Sequence, residues 1–361
     1  MPLFPLIGHQ ALRQRLDEQV SRGALPASLL LAGPPGVGKQ QLALWLGSRL
    51  LCAGAAPPCG ECQQCRYAAD GVHPDLRWYF PRPRLKEADV ALEEVAFDYA
   101  DAIAERVAAH GLYARPDGSH GIFVYVSRLI VQQAGTTPAL AARKVFVIGD
   151  AERMVSQAAS PEAANAFLKL LEEPLADTTI VLTSSEPGAL LPTIRSRVVA
   201  IRVAPLPEAD VRAFLAHPAA AAAADADAGA RGATEDEIVR LAHGAPGALL
   251  DLAARGASLE RARALLAAAR GGREQALRAA FVQGSSKARG VFTDVLDALT
   301  VLLHERARDA AHAGDAARAV ASARAVRAVE EAKRAAEGNA VPQLVTAHLV
   351  RTLAEIGRAH V

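Results

Sequence analysis

Several features are scarce in this chain, and each scarcity closes a route. Net charge is nearly absent, with 40 Lys and Arg against 39 Asp and Glu over 361 residues, so no global field draws the protein to nucleic acid or membrane. No apolar run approaches the length needed to cross a bilayer. The start, Met1-Pro2-Leu3-Phe4-Pro5, lacks the basic and apolar regions of a signal peptide, so a cytoplasmic location is expected. Aromatic residues make up only 4% of the chain, and between 255 and 290, where eight Lys and Arg face two Glu, Phe281 alone interleaves. That excludes a base-stacking surface there and leaves either phosphate contacts or a solvated helix face.

Cysteine is scarce too, with four in all, but they are not scattered. Cys52, Cys59, Cys62 and Cys65 fall within one short stretch. In a reducing compartment such clustering points to metal rather than disulfides. Two overlapping Cys-x-x-Cys turns supply three soft ligands, and Cys52 closes the tetrahedral set that structural Zn²⁺ takes. Gly54, Pro57, Pro58 and Gly60 provide the tight turns of a knuckle. The competing reading is four free thiols in a loop.

What is present is a glycine-rich loop, Gly33-Pro34-Pro35-Gly36-Val37-Gly38-Lys39-Gln40, between a short apolar run, Ser28–Ala32, and a helical stretch from Gln41. Strand, loop and helix form the setting of a phosphate-binding loop, whose backbone N–H groups wrap phosphates while the lysine reaches the terminal ones. Gly33, Gly36, Gly38 and Lys39 suit that role. Gln40 stands where a Ser or Thr hydroxyl would hold Mg²⁺. The glycines equally suit a fold that merely keeps a tight turn.

Strand and helix patterns alternate from Ile7 to about Arg202, as in an α/β domain with a parallel sheet. Strands are expected at Ser28–Ala32, Lys144–Ile148, Thr179–Leu182 and near Ala200–Val203, and a helix from Pro161, stopped by Pro174. An irregular stretch at about 87–118, able to carry one helix over Val90–His110, reads as an insertion. Beyond Pro205 the pattern is helical: Pro207–Ala216, Thr234–His243, Leu259–Arg270, Arg273–Val282, Ala288–Gly314, Ala317–Gly338 and Pro342–Ile356. Pro218–Gly232, an Ala/Asp/Gly tract with no large apolar residue, reads as a mobile loop. Val291, Val295, Leu296, Leu299 and Leu302 form a stripe that could pack within one bundle or between subunits.

Gly8-His9, the glycine loop, the four cysteines followed by His73-Pro74-Asp75, the run Asn165–Pro174 containing Leu-Leu-Glu-Glu-Pro, and Thr193-Ile194-Arg195-Ser196-Arg197 occur in an ordered series. Together they resemble the AAA+ clamp-loader subunits of bacterial DNA polymerase III, most closely the delta-prime type. The resemblance covers the chain except the stretch at 87–118 and the Ala-rich tract. It implies an α/β plus all-α fold in three parts. These are an AAA+ P-loop parallel-sheet domain over 1–203 with a zinc module at 52–65, a small helical lid over 204–255, and a helical collar over 256–361.

The same resemblance implies what has been lost. The register of the family places Gly149 where an Asp holds the metal and Asp150 where a Glu polarises water; a slip of one residue would make Asp150 the metal ligand. In Gly244-Ala245-Pro246-Gly247, Gly247 takes the place of a γ-phosphate-sensing Arg. ATP binding is then weak or absent and hydrolysis is not expected. Arg197 matches the family's arginine finger, acting on the nucleotide of a neighbouring subunit, with Arg195 the lesser candidate. The implied function is that of the stator in the clamp loader. Its partners would be the gamma/tau-type motor and delta-type subunits, and through the complex the sliding clamp and primer-template DNA. The rival readings are an ATP-hydrolysing motor subunit and a zinc-containing DNA-binding module.

Overall fold

In a computed structural model the described residues are 3–85, 90–113, 120–154, 161–225, 235–271, 275, 278, 289–337 and 341–358. The chain divides into two compact units, one reaching Asp251 and the other running from Leu252.

The first unit is built on five parallel strands: β1 (Ser28–Ala32), β2 (Leu76–Tyr79), β3 (Lys144–Ile148), β4 (Thr178–Ser184) and β5 (Val199–Arg202). Their spatial order is β2-β3-β4-β1-β5. Leu30 of β1 lies level with Leu182 of β4 on one side and Ala200 of β5 on the other. Leu29–Leu31, Val145–Ile148 and Ile180–Leu182 are buried at 2% exposure or less, as strands covered by helices on both faces must be. The sheet agrees with the strands expected from sequence and adds β2, which sequence reading missed. Four residues with Arg77 exposed in their midst give too short a pattern to stand out.

Helices α1 (Gln10–Ser21), α2 (Lys39–Leu51), α3 (Gln63–Ala69), α4 (Leu92–Ala108), α5 (Val124–Ala134), α6 (Pro161–Glu172) and α7 (Pro192–Arg195) accompany the sheet. In α6, Phe167 and Leu171 are buried, as the i, i+4 spacing requires.

One expectation agrees with the structure and one needs correction. The single helix expected over Val90–His110 is α4, and it is part of the core: Val95, Tyr99 and Ala102 are buried, and the Tyr99 hydroxyl donates to the Phe80 carbonyl at 2.7 Å. Arg82 grips Asp98 with two N–H donors, at 3.0 and 2.8 Å. The rest of the stretch, 87–89 and 114–118, lies outside the described residues. The Ala-rich tract read as a mobile loop begins as a helix. After α8 (Glu208–Leu215) comes α9 (Pro218–Asp225), with Ala220 fully buried beside Phe4 and Phe214. Proline at the first position and alanines after it favour a helix, and Ala220 packs in one cluster with the Phe4 and Phe214 rings. The remainder of that tract lies outside the described residues. Helix α10 (Glu235–Ala242) and a 3₁₀ turn (Pro246–Asp251) complete the unit.

The second unit consists of α11 (Leu252–Arg270), α12 (Arg289–His312), α13 (Ala316–Glu337) and α14 (Pro342–Arg358). Val295, Leu296 and Leu299 are fully buried against Val329, Leu349 and Val350, so this part of the apolar stripe is spent inside the bundle. Helix α11 starts well before Leu259 and runs through Gly256. The expected helix over Arg273–Val282 falls largely outside the described residues. No helix among the described residues is long and apolar enough to cross a membrane.

Candidate phosphate and metal sites

The glycine loop leaves the carboxyl end of β1 and enters α2, the place where open parallel sheets bind ligands. Gly36 and Gly38 adopt φ of 78° and 94°, which other residues avoid. Gly33 lacks room for a side chain, since a Cβ there would sit 2.3 Å from the Val203 carbonyl oxygen. Lys39 is buried, and its ammonium donates to the carbonyls of Gly33 (3.0 Å) and Pro34 (2.8 Å) and to Ser185 Oγ (2.9 Å). A phosphate would have to replace those acceptors. Gly247 donates its backbone N–H to the Gly36 carbonyl at 2.9 Å.

Beside this loop lies the corner where the fold would hold Mg²⁺. Gln40 Nε2 donates to Asp150 Oδ2 at 3.1 Å. Its Oε1 accepts from Trp78 Nε1 at 3.0 Å and from the Arg106 guanidinium at 3.4 Å. A Cβ on Gly149 would come within 2.4 Å of the Gln40 carboxamide carbon, so Gln40 fills the space that a side chain at 149 would need. Arg106 sits 3.3 Å from the ring centre of Phe80 and 3.6 Å from that of Tyr113, with Trp78 at 5.0 Å. Burial lowers the Arg106 pKa, while Tyr113 and Asp150 act to raise it. Mg²⁺ asks for near-octahedral oxygen ligands at about 2.1 Å. This corner offers a committed carboxylate, a committed amide and a guanidinium that would repel a divalent ion. These residues do not fit Mg²⁺.

Glu152 stands next to the corner. Its Oε1 accepts the Ser185 backbone N–H at 2.9 Å, and its buried Oε2 has no partner among the described residues. Burial, with Asp150 adding repulsion, pushes its carboxyl above the usual range.

The cysteine cluster is compact. All four Sγ atoms lie within 4.8 Å of one another, with Cys52 to Cys59 at 3.6 Å and Cys52 to Cys62 at 3.9 Å. Four thiolates around one Zn²⁺ stand roughly 3.8 Å apart, given a metal–sulfur bond of about 2.3 Å. Backbone N–H groups of Gly54 and Cys59 point at Cys52 Sγ, and that of Cys62 at Cys59 Sγ, at 3.3–3.4 Å. The Cys65 N–H, chief among its neighbours, draws the Cys62 thiol down to about 6, while burial pushes Cys65 up to about 12. A central cation offsets the second effect, so the donor set fits a metal ion. Gly54 is required here, because its Cβ would lie 2.7 Å from Cys59 Sγ.

His73-Pro74-Asp75 is structural. Asp75 is buried and accepts backbone N–H groups of Ala139, Leu140 and Ala141 at 2.7–2.8 Å. His73 Nδ1 accepts the Asp75 N–H, and Nε2 donates to Gln64 of α3, next to Cys65.

Arg197 lies far along the chain from these groups, between α7 and β5. Its Nε donates to Glu172 Oε2 at 3.0 Å and its Nη1 to the Thr193 carbonyl at 3.0 Å and Ser196 Oγ at 3.3 Å. Arg195 is exposed. Of the residues expected from sequence, Lys39 lies on the glycine loop, Gln40 and Asp150 meet beside it and the cysteines form one cluster, whereas Arg106, Trp78, Glu152 and Ser185 were not singled out. An arginine in the middle of a helix, in an arginine-rich chain, carries no signal of its own.

The family model described as "DNA polymerase III, delta subunit" matches residues 8–207. Among curated proteins, the chain is similar to DNA polymerase III subunit delta' of Pseudomonas aeruginosa, 35% identical over 50% of this chain and 43% of that one. The Bacillus subtilis subunit delta' is 30% identical over 53% and 46%. A gamma/tau subunit of Mycobacterium tuberculosis is 28% identical over 58% and 30%. The chain thus spans less than half the length of these relatives. Among solved structures, a Thermotoga maritima gamma subunit-related protein aligns over 95% of this chain and 98% of its own, at 18% identity and a TM-score of 0.39. The glycine loop, the cysteine cluster and Arg197 all lie inside the matched residues, which make up more than half of the sequence, and on that ground the chain belongs to the DNA polymerase III delta-subunit family.

Proposed function

We propose that this chain is the non-hydrolysing delta-prime stator of a DNA polymerase III clamp loader, supporting ATP-dependent placement of the sliding clamp on primed DNA. The observation that carries this reading is the Gln40 carboxamide seated between Gly149, Asp150 and Arg106, where catalysis would need a metal. The chain then acts through others: it joins gamma/tau-type motors and a delta-type subunit, and Arg197 reaches a nucleotide held by its neighbour. Its organisation is a P-loop domain over 1–203, a lid over 204–255 and a collar over 256–361, with one structural Zn²⁺ on Cys52, Cys59, Cys62 and Cys65 and a cytoplasmic location.

The deciding experiment reconstitutes the assembly with Arg197→Ala. ATPase and clamp-loading rates should fall on the order of tenfold or more, with ring formation unchanged. Arg197→Lys should rescue little, because an ammonium lacks the planar fork. Wild-type rates without Arg197, or a defect confined to assembly, would reject the finger. The gamma/tau similarity supplies the rival, a motor subunit, and robust Lys39-dependent ATPase by the isolated chain would favour that instead.

A further inference from the structure

We propose that the protein supplies its own substitute for the divalent ion of the P-loop, so that the loop takes a nucleoside polyphosphate without metal, Arg106 being the resident cation. This rests on the reading of the P-loop as non-hydrolysing and goes beyond it, since a silent site could still require Mg²⁺ to bind.

The argument is one of charge balance in a partly buried corner. An acidic pair beside a phosphate loop is repulsive to polyphosphate unless a cation stands between them. Here the acids are Asp150 and Glu152. Asp150 is engaged by the Gln40 amide at 3.1 Å, and it acts electrostatically on the Arg106 guanidinium. That guanidinium cannot drift away. Phe80 and Tyr113 cage it at 3.3 and 3.6 Å, and Gln40 Oε1 accepts from it at 3.4 Å. Cation–π contacts of this kind are strongest when the ion is desolvated. Glu152 turns its Oε1 to the Ser185 backbone N–H at 2.9 Å. Asp150 therefore has a resident counter-charge with no divalent ion, and a phosphate at the loop amides would take Lys39 from the carbonyls of Gly33 and Pro34.

The same geometry explains how metal dependence could be restored. Gly149→Asp alone would drive a side chain into the Gln40 carboxamide, whose atoms lie 2.4–2.5 Å from the Cβ position. Gln40→Ser alone returns a hydroxyl without a second ligand. Only Gln40→Ser combined with Gly149→Asp clears the space and refills it with oxygen donors.

The test is titration calorimetry of ATP into the full chain, once with Mg²⁺ and once with EDTA. Wild type should bind with affinities equal within about twofold in the two conditions. Arg106→Gln should weaken binding in EDTA by about tenfold, with Mg²⁺ returning part of it. The Gln40→Ser, Gly149→Asp double variant should bind at least tenfold more weakly in EDTA than in Mg²⁺. Circular dichroism confirms that each variant is folded. A wild-type affinity that falls tenfold or more in EDTA overturns the proposal, and so does absence of ATP binding in both conditions. Neither result touches the Arg197 reading, whereas wild-type ATP turnover would overturn the silent site itself.

Discussion

At the scale of single residues, the molecule is decided by which polar groups have their partners inside the protein. Asp75 is the clearest case. Burial alone would raise its carboxyl, but three backbone N–H donors from 139–141 outweigh that and hold it below the ordinary range. Asp75→Ala would leave those amides unpaired, at a cost of about 3 kcal/mol, measurable by urea unfolding of the first unit. The pH dependence follows from the signs. A lowered carboxylate pKa means stability is present above the unfolded value of roughly 4 and is lost as pH falls through the folded one. His73 is lowered by burial as well, so the folded state resists its protonation, and stability starts to decline once pH drops below about 6.5. Melting temperature should therefore fall in acid in two stages, and His73→Gln should remove the earlier one. A melting curve flat between pH 7 and pH 4 would contradict this.

Elements carry the second set of consequences. The knuckle between α2 and α3 has no hydrophobic core of its own: Cys65 and Ala68 are its buried side chains on α3. If it holds the Zn²⁺ proposed above, its order depends on that ion, and a Ser at any of the four cysteines should release about one equivalent of Zn²⁺ on elemental analysis and lower the melting temperature of the first unit. Four thiols titrating freely in metal-free native protein would refute it. In the helical unit, Lys333 of α13 is buried and bonds Asp297 of α12 at 2.8 Å. Asp297→Ala should destabilise that bundle by about 2 kcal/mol, because a buried ammonium loses its main counter-charge.

Legibility from sequence divided along the same line. β1 and β3 could be read to the residue because they are continuous apolar runs bounded by breakers. α4 could not be placed in the core, because the partners of Tyr99 are Tyr79 of β2 and Phe80 just after it, a strand itself unseen in the sequence. α9 was misread because an absence of large side chains was taken for an absence of packing, whereas Ala220 is buried because it is small. The glycine loop and the cysteines were legible from spacing. The Arg106 cage was not, since its members come from β2, α4 and the segment after α4, and only the folded chain gathers them.

At the scale of the whole molecule, silence toward ATP should be resistant to simple repair. The isolated chain should hydrolyse ATP no faster than Lys39→Ala, and Gln40→Ser should leave it so, as a phosphate-release assay would register. Turnover appearing with Gln40→Ser alone would mean that Asp150 can hold the metal unaided.

The bond between Gly247 and Gly36 extends this to descent. Bare backbone lies on bare backbone there, and a Cβ on residue 247 would meet Gly36 at 2.8 Å. A lineage that once let this contact form could regain a sensing arginine at 247 only by first moving the loop away, and it could regain a carboxylate at 149 only after giving up Gln40. Each first step disturbs a packed site and returns no activity by itself. If the chain is the stator proposed above, the contact works as a ratchet, because selection acts on one substitution at a time: a ring holding it would keep one position without an engine, and its division of labour would become hereditary.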